Sequence, residues 1–191
     1  MKKIIYLILA AIIIISASGF SSCGDGDAGR TAFAPETGAY KIMLNPDEWL
    51  VIELSAEPVP EQLAIFHAQS GTLMVIDYYS KAGLSNIGVA NLNGFMDFYK
   101  SIERIKSIYE DNNSRAGDLT DIAKNDIKKS SVTGGKRQSF NMQGESGDYM
   151  TELMHLETKN YYLAISYSNS DDKFADSQKA ANDVVAHIGE E

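Results

Sequence analysis

The chain of 191 residues contains a single cysteine, Cys23, and this cysteine lies just after an apolar amino-terminal run. With one thiol, no disulfide can form within the chain, so an exported domain has to be held together by side-chain packing alone. A chain of this length is long enough for one domain of ordinary size to bury a sizeable core. We therefore expect one domain with a packed core and no covalent cross-link.

The first 22 residues have the pattern of an export signal. Lys2 and Lys3 precede an uncharged, almost wholly apolar run from Ile4 to Ile15, and small polar residues follow at once. A membrane-spanning helix needs about 20 apolar residues, so this run is too short to cross the hydrocarbon core. We interpret residues 1–22 as a signal peptide, and an uncleaved membrane anchor or an ordinary secretory peptide are the alternatives.

The residues before the cysteine, Phe20-Ser21-Ser22-Cys23, resemble the bacterial lipoprotein signal. One bulky apolar residue and two small ones precede the cysteine, although Phe20 stands where that family usually has Leu. The resemblance implies that Cys23 carries acyl chains such as palmitate and becomes the mature amino terminus. Two or three chains form a stable anchor, because each buried methylene contributes about 0.8 kcal/mol. The expected location is the extracytoplasmic side of a cell-envelope membrane.

The chain is acidic, which limits the partners that it can have. Its formal net charge is −9, and loss of the signal peptide with its two lysines changes this to −11. Nucleic acid is disfavoured, because phosphates bind clusters of Lys and Arg. The same charge opposes flat contact with anionic lipid, so the membrane affinity has to come from the anchor at Cys23.

Residues 23–38 are predicted to be a flexible tether. The stretch GDGDAGRTAFAPETG after the cysteine shows neither helical nor strand periodicity, and as a flexible chain it would span on the order of 20 Å. Asp25, Asp27 and Glu36 have the carboxylate spacing of a calcium loop. Arg30, however, occupies the position at which that loop requires glycine, so we do not expect a calcium site.

The remainder of the chain, residues 39–191, is predicted to be one α+β domain. Short apolar runs between turn clusters predict a pair of strands, a hairpin and an antiparallel meander, whereas spacings of three and four residues predict two helices. The predicted strands are 40–44, 49–54, 62–68, 72–79, 126–133, 136–143, 148–157 and 161–167, and the helices begin near Asn93 and at Phe174. Strands in two groups, each followed by a helix, indicate an antiparallel sheet covered by helices.

This order of elements resembles the PsbP-like family, which has an α/β/α sandwich and includes extrinsic photosystem II subunits and bacterial DcrB-type lipoproteins. The residues that carry the resemblance are Trp49, the alternating Ala64, Phe66 and Ala68, the turn at Gly134 and Gly135, the pair Tyr161 and Tyr162, and Phe174. It covers most of residues 39–189. The resemblance implies a binding or assembly domain with no shared catalytic set and no cofactor, and we transfer no functional residue from it.

The sequence contains no recognisable catalytic or metal-binding motif. His67, His155 and His187 are not at the spacing of a zinc motif, so each is expected to be a packed or surface histidine. The segment GESG at 144–147 is the nearest approach to a serine hydrolase elbow and lacks its spacing. We therefore predict no enzyme activity and no metal.

The tyrosines of the predicted strands are the best candidates for contact with a protein partner. Neighbouring strand residues point to opposite faces of a sheet, so one member of the pair Tyr78 and Tyr79, and one of the pair Tyr161 and Tyr162, should face outward. Tyr167 completes the candidate set. A covering helix accounts for at least one buried member, and exposed aromatic residues are common in interfaces.

The leading interpretation is a lipid-anchored extracytoplasmic protein that binds or assembles with an envelope protein and catalyses no reaction. An envelope hydrolase whose active site follows no motif is the alternative. A structural subunit of a larger membrane-bound complex is a third possibility.

Overall fold

Two antiparallel sheets form the framework of the domain. The computed structural model describes residues 29–34, 38, 40–54, 62–112, 115–144 and 147–190. Its elements in chain order are β1 (Thr31–Phe33), β2 (Lys41–Leu44), β3 (Trp49–Leu54), β4 (Gln62–His67), β5 (Thr72–Ser80), α1 (Lys81–Ser85), α2 (Leu92–Lys100), α3 (Glu103–Asn112), β6 (Thr120–Asp121), β7 (Gly134–Gly144), β8 (Gly147–Glu157), β9 (Tyr161–Ser170), α4 (Phe174–Ala186) and β10 (Ile188–Gly189). The predicted signal peptide and Cys23 lie outside the described residues.

The larger sheet has the strand order β3-β4-β5-β9-β8-β7-β6, and the smaller has the order β1-β2-β10. The hairpin β4–β5 and the meander β7–β8–β9 are confirmed, because each pair is antiparallel and joined by a short turn. Alternation along the strands sends successive side chains to opposite faces. In β8, residues 151–156 are buried on both faces, so this strand lies at the centre of the fold.

Each face of the larger sheet is covered by its own layer. On one face lie α4 and the smaller sheet, and their shared core includes Ile42, Met154, Ile165 and Val184. On the other face α1, α2 and α3 enclose a second core, which includes Phe95. The helices therefore cover an antiparallel sheet from both sides, as the predicted α/β/α sandwich requires.

Helix α4 packs on the sheet through one face of its 3.6-residue period. Phe174, Ser177, Ala181, Val184 and Val185 are buried along this face. The spacing of these residues predicts the helix, and the amphipathic pattern is the reason for its position. The same spacing also assigns Ile188 to this helical face, but the structure places Ile188 in β10.

One predicted strand pairing and one predicted strand are wrong. The strands predicted at 40–44 and 49–54 do not pair with each other, because β2 joins β1 and β10 whereas β3 joins β4. The turn at 45–48, closed by hydrogen bonds from Glu48 N and Trp49 N to the Asn45 carbonyl, directs the chain from one sheet to the other. The segment 126–133 forms turns, and its Ser131 N–H donates to the Ile188 carbonyl of β10.

The helix predicted from Asn93 is two helices, α2 and α3. The Ser101 hydroxyl donates to the Phe98 carbonyl at 2.6 Å, and the N–H groups of Ser101 and Ile102 bond three residues back. Such a side-chain bond competes with the regular helical bonding pattern and breaks the helix there.

The tether prediction also needs correction, because β1 lies within residues 23–38. Thr31 of β1 pairs with Leu44 of β2. The residue before β1, Arg30, is held by hydrogen bonds to other parts of the fold. The Arg30 guanidinium donates to both carboxylate oxygens of Asp183, at 2.8 and 2.9 Å, and to the Met43 carbonyl at 3.1 Å. A bidentate pair of this kind fixes orientation as well as distance, so the domain begins by residue 30.

Gly135 is predicted to be intolerant of a side chain. A Cβ atom at this position would lie 2.8 Å from Ile122 Cδ1 and 2.9 Å from the His155 carbonyl oxygen. We expect Gly135→Ala to lower the free energy of unfolding by about 1–3 kcal/mol, because the neighbouring backbone has to shift. The matched control is Gly134→Ala, since a Cβ there meets nothing within 4 Å. Urea denaturation of both variants gives the comparison, and equal stabilities would contradict the packing described.

Candidate binding surface

A buried carboxylate, Glu152, links the sheet to α4. The Tyr167 hydroxyl donates to its Oε1 at 2.6 Å, and Gln178 Nε2 and Ser139 Oγ donate to its Oε2 at 2.9 and 3.1 Å. Arg137 Nη1 lies 3.6 Å from Oε1. Burial, reinforced by the Glu152 charge, raises the pKa of Tyr167 far above its usual value. The carboxylate is thus engaged by groups of the fold, which is a structural use of charge.

A chain of hydroxyl groups joins the β4–β5 hairpin to α4. His67 Nδ1 lies 2.9 Å from Ser70 Oγ, which lies 2.7 Å from Thr72 Oγ1. Thr72 Oγ1 lies 2.6 Å from Ser177 Oγ, and Ser177 Oγ donates to the Lys173 carbonyl at 3.1 Å. Asn169 Nδ2 donates to Thr72 Oγ1 at 3.1 Å and to Ser177 Oγ at 3.0 Å, so every hydroxyl of this chain is hydrogen-bonded within the fold.

Burial argues against Ser70 as a nucleophile. An activated serine gives its proton to a neighbouring base and is open to substrate. Ser70 is only 3% exposed, and its hydroxyl is also hydrogen-bonded to Thr72. Burial also lowers the pKa of His67, whose ring packs against Trp49 with centroids 4.6 Å apart. The His67–Ser70 contact therefore holds the hairpin in place.

The predicted tyrosine set is mostly part of the core. Tyr78, Tyr162 and Tyr167 are buried, and Tyr79 and Tyr161 are half-buried. The alternation is correct, since Tyr78 faces the α4 layer and Tyr79 faces the α2 layer. The expectation that one member of each pair faces outward is wrong for a physical reason: this part of the sheet is covered on both sides.

Contacts of the two half-buried tyrosines are to other rings. Tyr79 lies 5.5 Å from each of the Phe95 and Phe98 rings of α2, between centroids. Tyr161 meets Tyr78 edge to face at 6.0 Å. Aromatic pairs in such arrangements stabilise a core, so these side chains serve packing.

His155 is buried without a hydrogen-bond partner among the described residues. Its ring lies edge-on to Phe95 and Tyr99, with centroids 6.1 and 5.4 Å away. Burial, with a smaller contribution from the charge of Lys100, lowers the pKa of His155 to about 4. Beside it the Tyr99 hydroxyl donates to Asp77 at 2.5 Å, and Gln62 Nε2 donates to the other Asp77 oxygen at 2.7 Å.

In the described part of the chain, no group of three or more His, Cys, Asp or Glu side chains lies close enough to hold a metal ion. His187, at the end of α4, contacts Asp183 through its Nδ1 atom, which lies 2.7 Å from the Asp183 carbonyl.

One half of the larger sheet is left open on the α2 side. Leu50, Phe66 and Leu73 lie directly opposite one another across β3, β4 and β5. Ile52 and Val75 follow on the same face, two residues further along their strands. Leu50 is 59% exposed and Leu73 is 45% exposed. We call these five residues the open face.

The open face carries no charge. Across the sheet it continues into Ser168 and Thr151, whose hydroxyls are hydrogen-bonded at 2.7 Å. Further along β4 and β5, the same face carries Gln62 and the buried Asp77, which are hydrogen-bonded to each other at 2.7 Å. The exposed apolar surface therefore lies at the end of these strands that contains Leu50 and Leu73. Contiguous exposed apolar surface of this kind marks sites of interaction with protein or membrane.

Sequence reasoning missed the open face, although part of the signal was present. The run WLVIEL of β3 is apolar at successive positions, which is typical of a strand buried on both faces. The structure covers Trp49 and Val51 and leaves Leu50 exposed. Tertiary packing decides which half of the sheet the helices cover. The periodicity of a strand carries no information about this coverage.

Comparison with known proteins shows similarity of fold. No family model and no curated protein matches the sequence. A crystal structure of a protein from Bacteroides thetaiotaomicron VPI-5482 has a TM-score of 0.51 at 14% identity, covering 84% of this chain and 48% of that protein, so this chain spans about half of its length. At this identity the likeness shows the fold alone.

Two further solved structures are more distant in shape. Cyanobacterial PsbP (CyanoP) from Synechocystis sp. PCC 6803 has a TM-score of 0.48 at 11% identity, covering 90% of this chain and 98% of that protein. LpqN of Mycobacterium tuberculosis, described as involved in cell envelope biogenesis, has a TM-score of 0.39 at 12% identity, and the match covers 86% of each chain.

The burial of His155 predicts loss of stability in acid. The folded protein holds this histidine with a pKa of about 4, below the usual 6.5, so the unfolded chain binds the proton more readily. Stability contributed by neutral His155 is therefore lost as the pH falls from about 6.5 to about 4, by about 3 kcal/mol at the lower end. We expect His155→Leu to reduce this loss and His187→Gln to leave it unchanged. Thermal unfolding between pH 7 and 4 measures both, and equal acid sensitivity of His155→Leu and the wild type would contradict the assignment.

Proposed function

We propose that the protein is a lipid-anchored domain of the cell envelope that acts by non-covalent binding and catalyses no reaction. One observation carries the binding part of the proposal. The buried polar groups, Glu152 and the Ser70 chain, are bonded to other parts of the fold, whereas the open face is apolar and leaves Leu50 and Leu73 exposed. Reactive side chains would need the opposite arrangement, with polar groups converging on an open cleft.

The anchor is supported by the sequence around Cys23. Only a short stretch separates Cys23 from Arg30, and Arg30 is held by Asp183 and by β2. A lipid on Cys23 would therefore hold the domain close to its membrane. None of the helices in the described part of the chain combines the length and the apolar character needed to cross a bilayer.

Replacement of the proposed lipid attachment site tests the anchor. We expect Cys23→Ala to remove the protein from the membrane fraction, because the acidic domain has little affinity of its own for anionic lipid. Ser21→Ala is the matched control, since it keeps a small residue at that position and should remain in the membrane fraction. Fractionation followed by immunoblotting measures both. Persistence of the processed Cys23→Ala chain in membranes would contradict lipid attachment at this residue.

The absence of serine-hydrolase chemistry can be tested at the His67–Ser70 pair. A fluorophosphonate probe reacts with activated serines, and we expect no adduct on Ser70, because this residue is buried and closed to the probe. Peptide mass spectrometry after incubation of the folded protein measures the adduct. Labelling of Ser70 that disappears in His67→Gln would support the hydrolase alternative and contradict the proposal.

A further inference from the structure

We propose that the open face lies on the bilayer that carries the anchor, so that β3, β4 and β5 face the lipid and α4 faces away from it. The inference rests on the proposed function, because it takes Cys23 to be the point of lipid attachment. The surface that the open face contacts is the interface of a phospholipid bilayer with zwitterionic headgroups. Three features of the chain support this orientation: where the chain enters the domain, how far the preceding segment reaches, and where charge is absent.

The chain enters the domain at the end that contains the most exposed residue of the open face. Thr31 pairs with Leu44, the last residue of β2, so Arg30 lies beside the start of the turn at 45–48. This turn leads directly into β3, where Leu50 is the second residue. At the same end of the sheet, Leu73 of β5 lies opposite Phe66 of β4, and Phe66 lies opposite Leu50 of β3.

The segment between Cys23 and Arg30 is long enough for this arrangement. An extended chain spans at most about 3.5 Å per residue, so the segment reaches about 25 Å. The smaller sheet, into which the chain enters, and the far face of the larger sheet are separated by a layer spacing of about 10 Å. The anchor can therefore sit in the bilayer while the open face touches it. A short tether also keeps the local concentration high, so weak contacts are sufficient.

Charge selects the open face over the rest of the surface. The mature chain has a formal net charge of −11, after loss of the two signal-peptide lysines from −9. Bringing carboxylates to a bilayer costs desolvation and, on anionic lipid, repulsion. The open face avoids both costs because it presents Leu, Ile, Phe and Val side chains. Asp47 and Glu48, in the adjacent turn, remain in the headgroup water, which favours zwitterionic over anionic lipid.

The same charge argues against two copies meeting through this face. Association would bring two strongly acidic domains together, and their repulsion opposes contact. A basic protein partner would not be repelled, and its presence on the open face is one of the outcomes that the experiment distinguishes.

Methyl resonances of exposed leucine and isoleucine residues give a direct test. Because Cys23 is the single cysteine in the sequence, the chain from Cys23 onward can be coupled through its thiol to a maleimide phospholipid in phosphatidylcholine nanodiscs. A small amount of lipid with a gadolinium chelate on its headgroup then broadens nearby signals. We expect loss of the Leu50 and Leu73 methyl signals and retention of those of Ile87 and Leu119. These controls are 63% and 44% exposed, against 59% and 45% for the test pair.

A double variant separates lipid contact from simple proximity. Leu50→Gln with Leu73→Gln removes the apolar contact, so we expect the Ile52 methyl signal, which is lost in the unmodified chain, to reappear. The matched control, Ile87→Gln with Leu119→Gln, should leave that loss unchanged. All four positions are exposed, and thermal unfolding confirms that the variants remain folded.

Several results would overturn the inference. Retention of the Leu50 and Leu73 signals, or equal broadening at all four positions, means that the open face does not contact the bilayer. Shielding of the two leucines by a co-purifying protein, or by a second copy in a concentration-dependent manner, assigns the face to that partner. A different result would contradict the proposed function. That result is an unmodified Cys23 in the natural chain, and it does not depend on the outcome of the nanodisc experiment.

Discussion

The structure depends on covering the larger sheet on both faces without the help of a disulfide. Strands β8 and β9 are buried on each side, between α4 with the smaller sheet and the helices α1 to α3. Because the sequence contains a single thiol, packing has to hold the chain together, so both cores have to be well filled. The coverage is unequal, however, because the helices on the α2 side end before the outer half of β3, β4 and β5. The open face is the direct consequence.

The positions of the ionisable groups also differ between the covered and the open regions of the larger sheet. Glu152, Asp77 and His155 are buried in the covered part, where hydroxyl, amide and aromatic groups surround them. Most other charges lie at the surface and give the chain its acidity. The open face belongs to neither class, because it is exposed and uncharged. Such a distribution suits a domain that presents a neutral surface to one neighbour and an acidic surface to the surrounding water.

Local patterns predicted much of the fold, and long-range pairing explains the rest. The hairpin β4–β5, the meander β7–β9 and α4 depend on short turns and regular spacing, which the sequence displays directly. The partner of β2 is β10, at the far end of the chain, and no local pattern encodes that pairing. Tyr78 and Tyr79 alternate as predicted, but their exposure depends on where α2 lies. The open face escaped prediction for the same reason, since an apolar strand residue has the same appearance whether or not a helix covers it.

The account as a whole assumes that acyl chains at Cys23 hold this acidic sandwich at a membrane. Intact-mass measurement of the chain isolated from its own membrane fraction tests that claim most directly. The predicted result is a chain that begins at Cys23 and carries the added mass of acyl groups on that residue. A chain that begins elsewhere, or an unmodified thiol at position 23, would contradict the account.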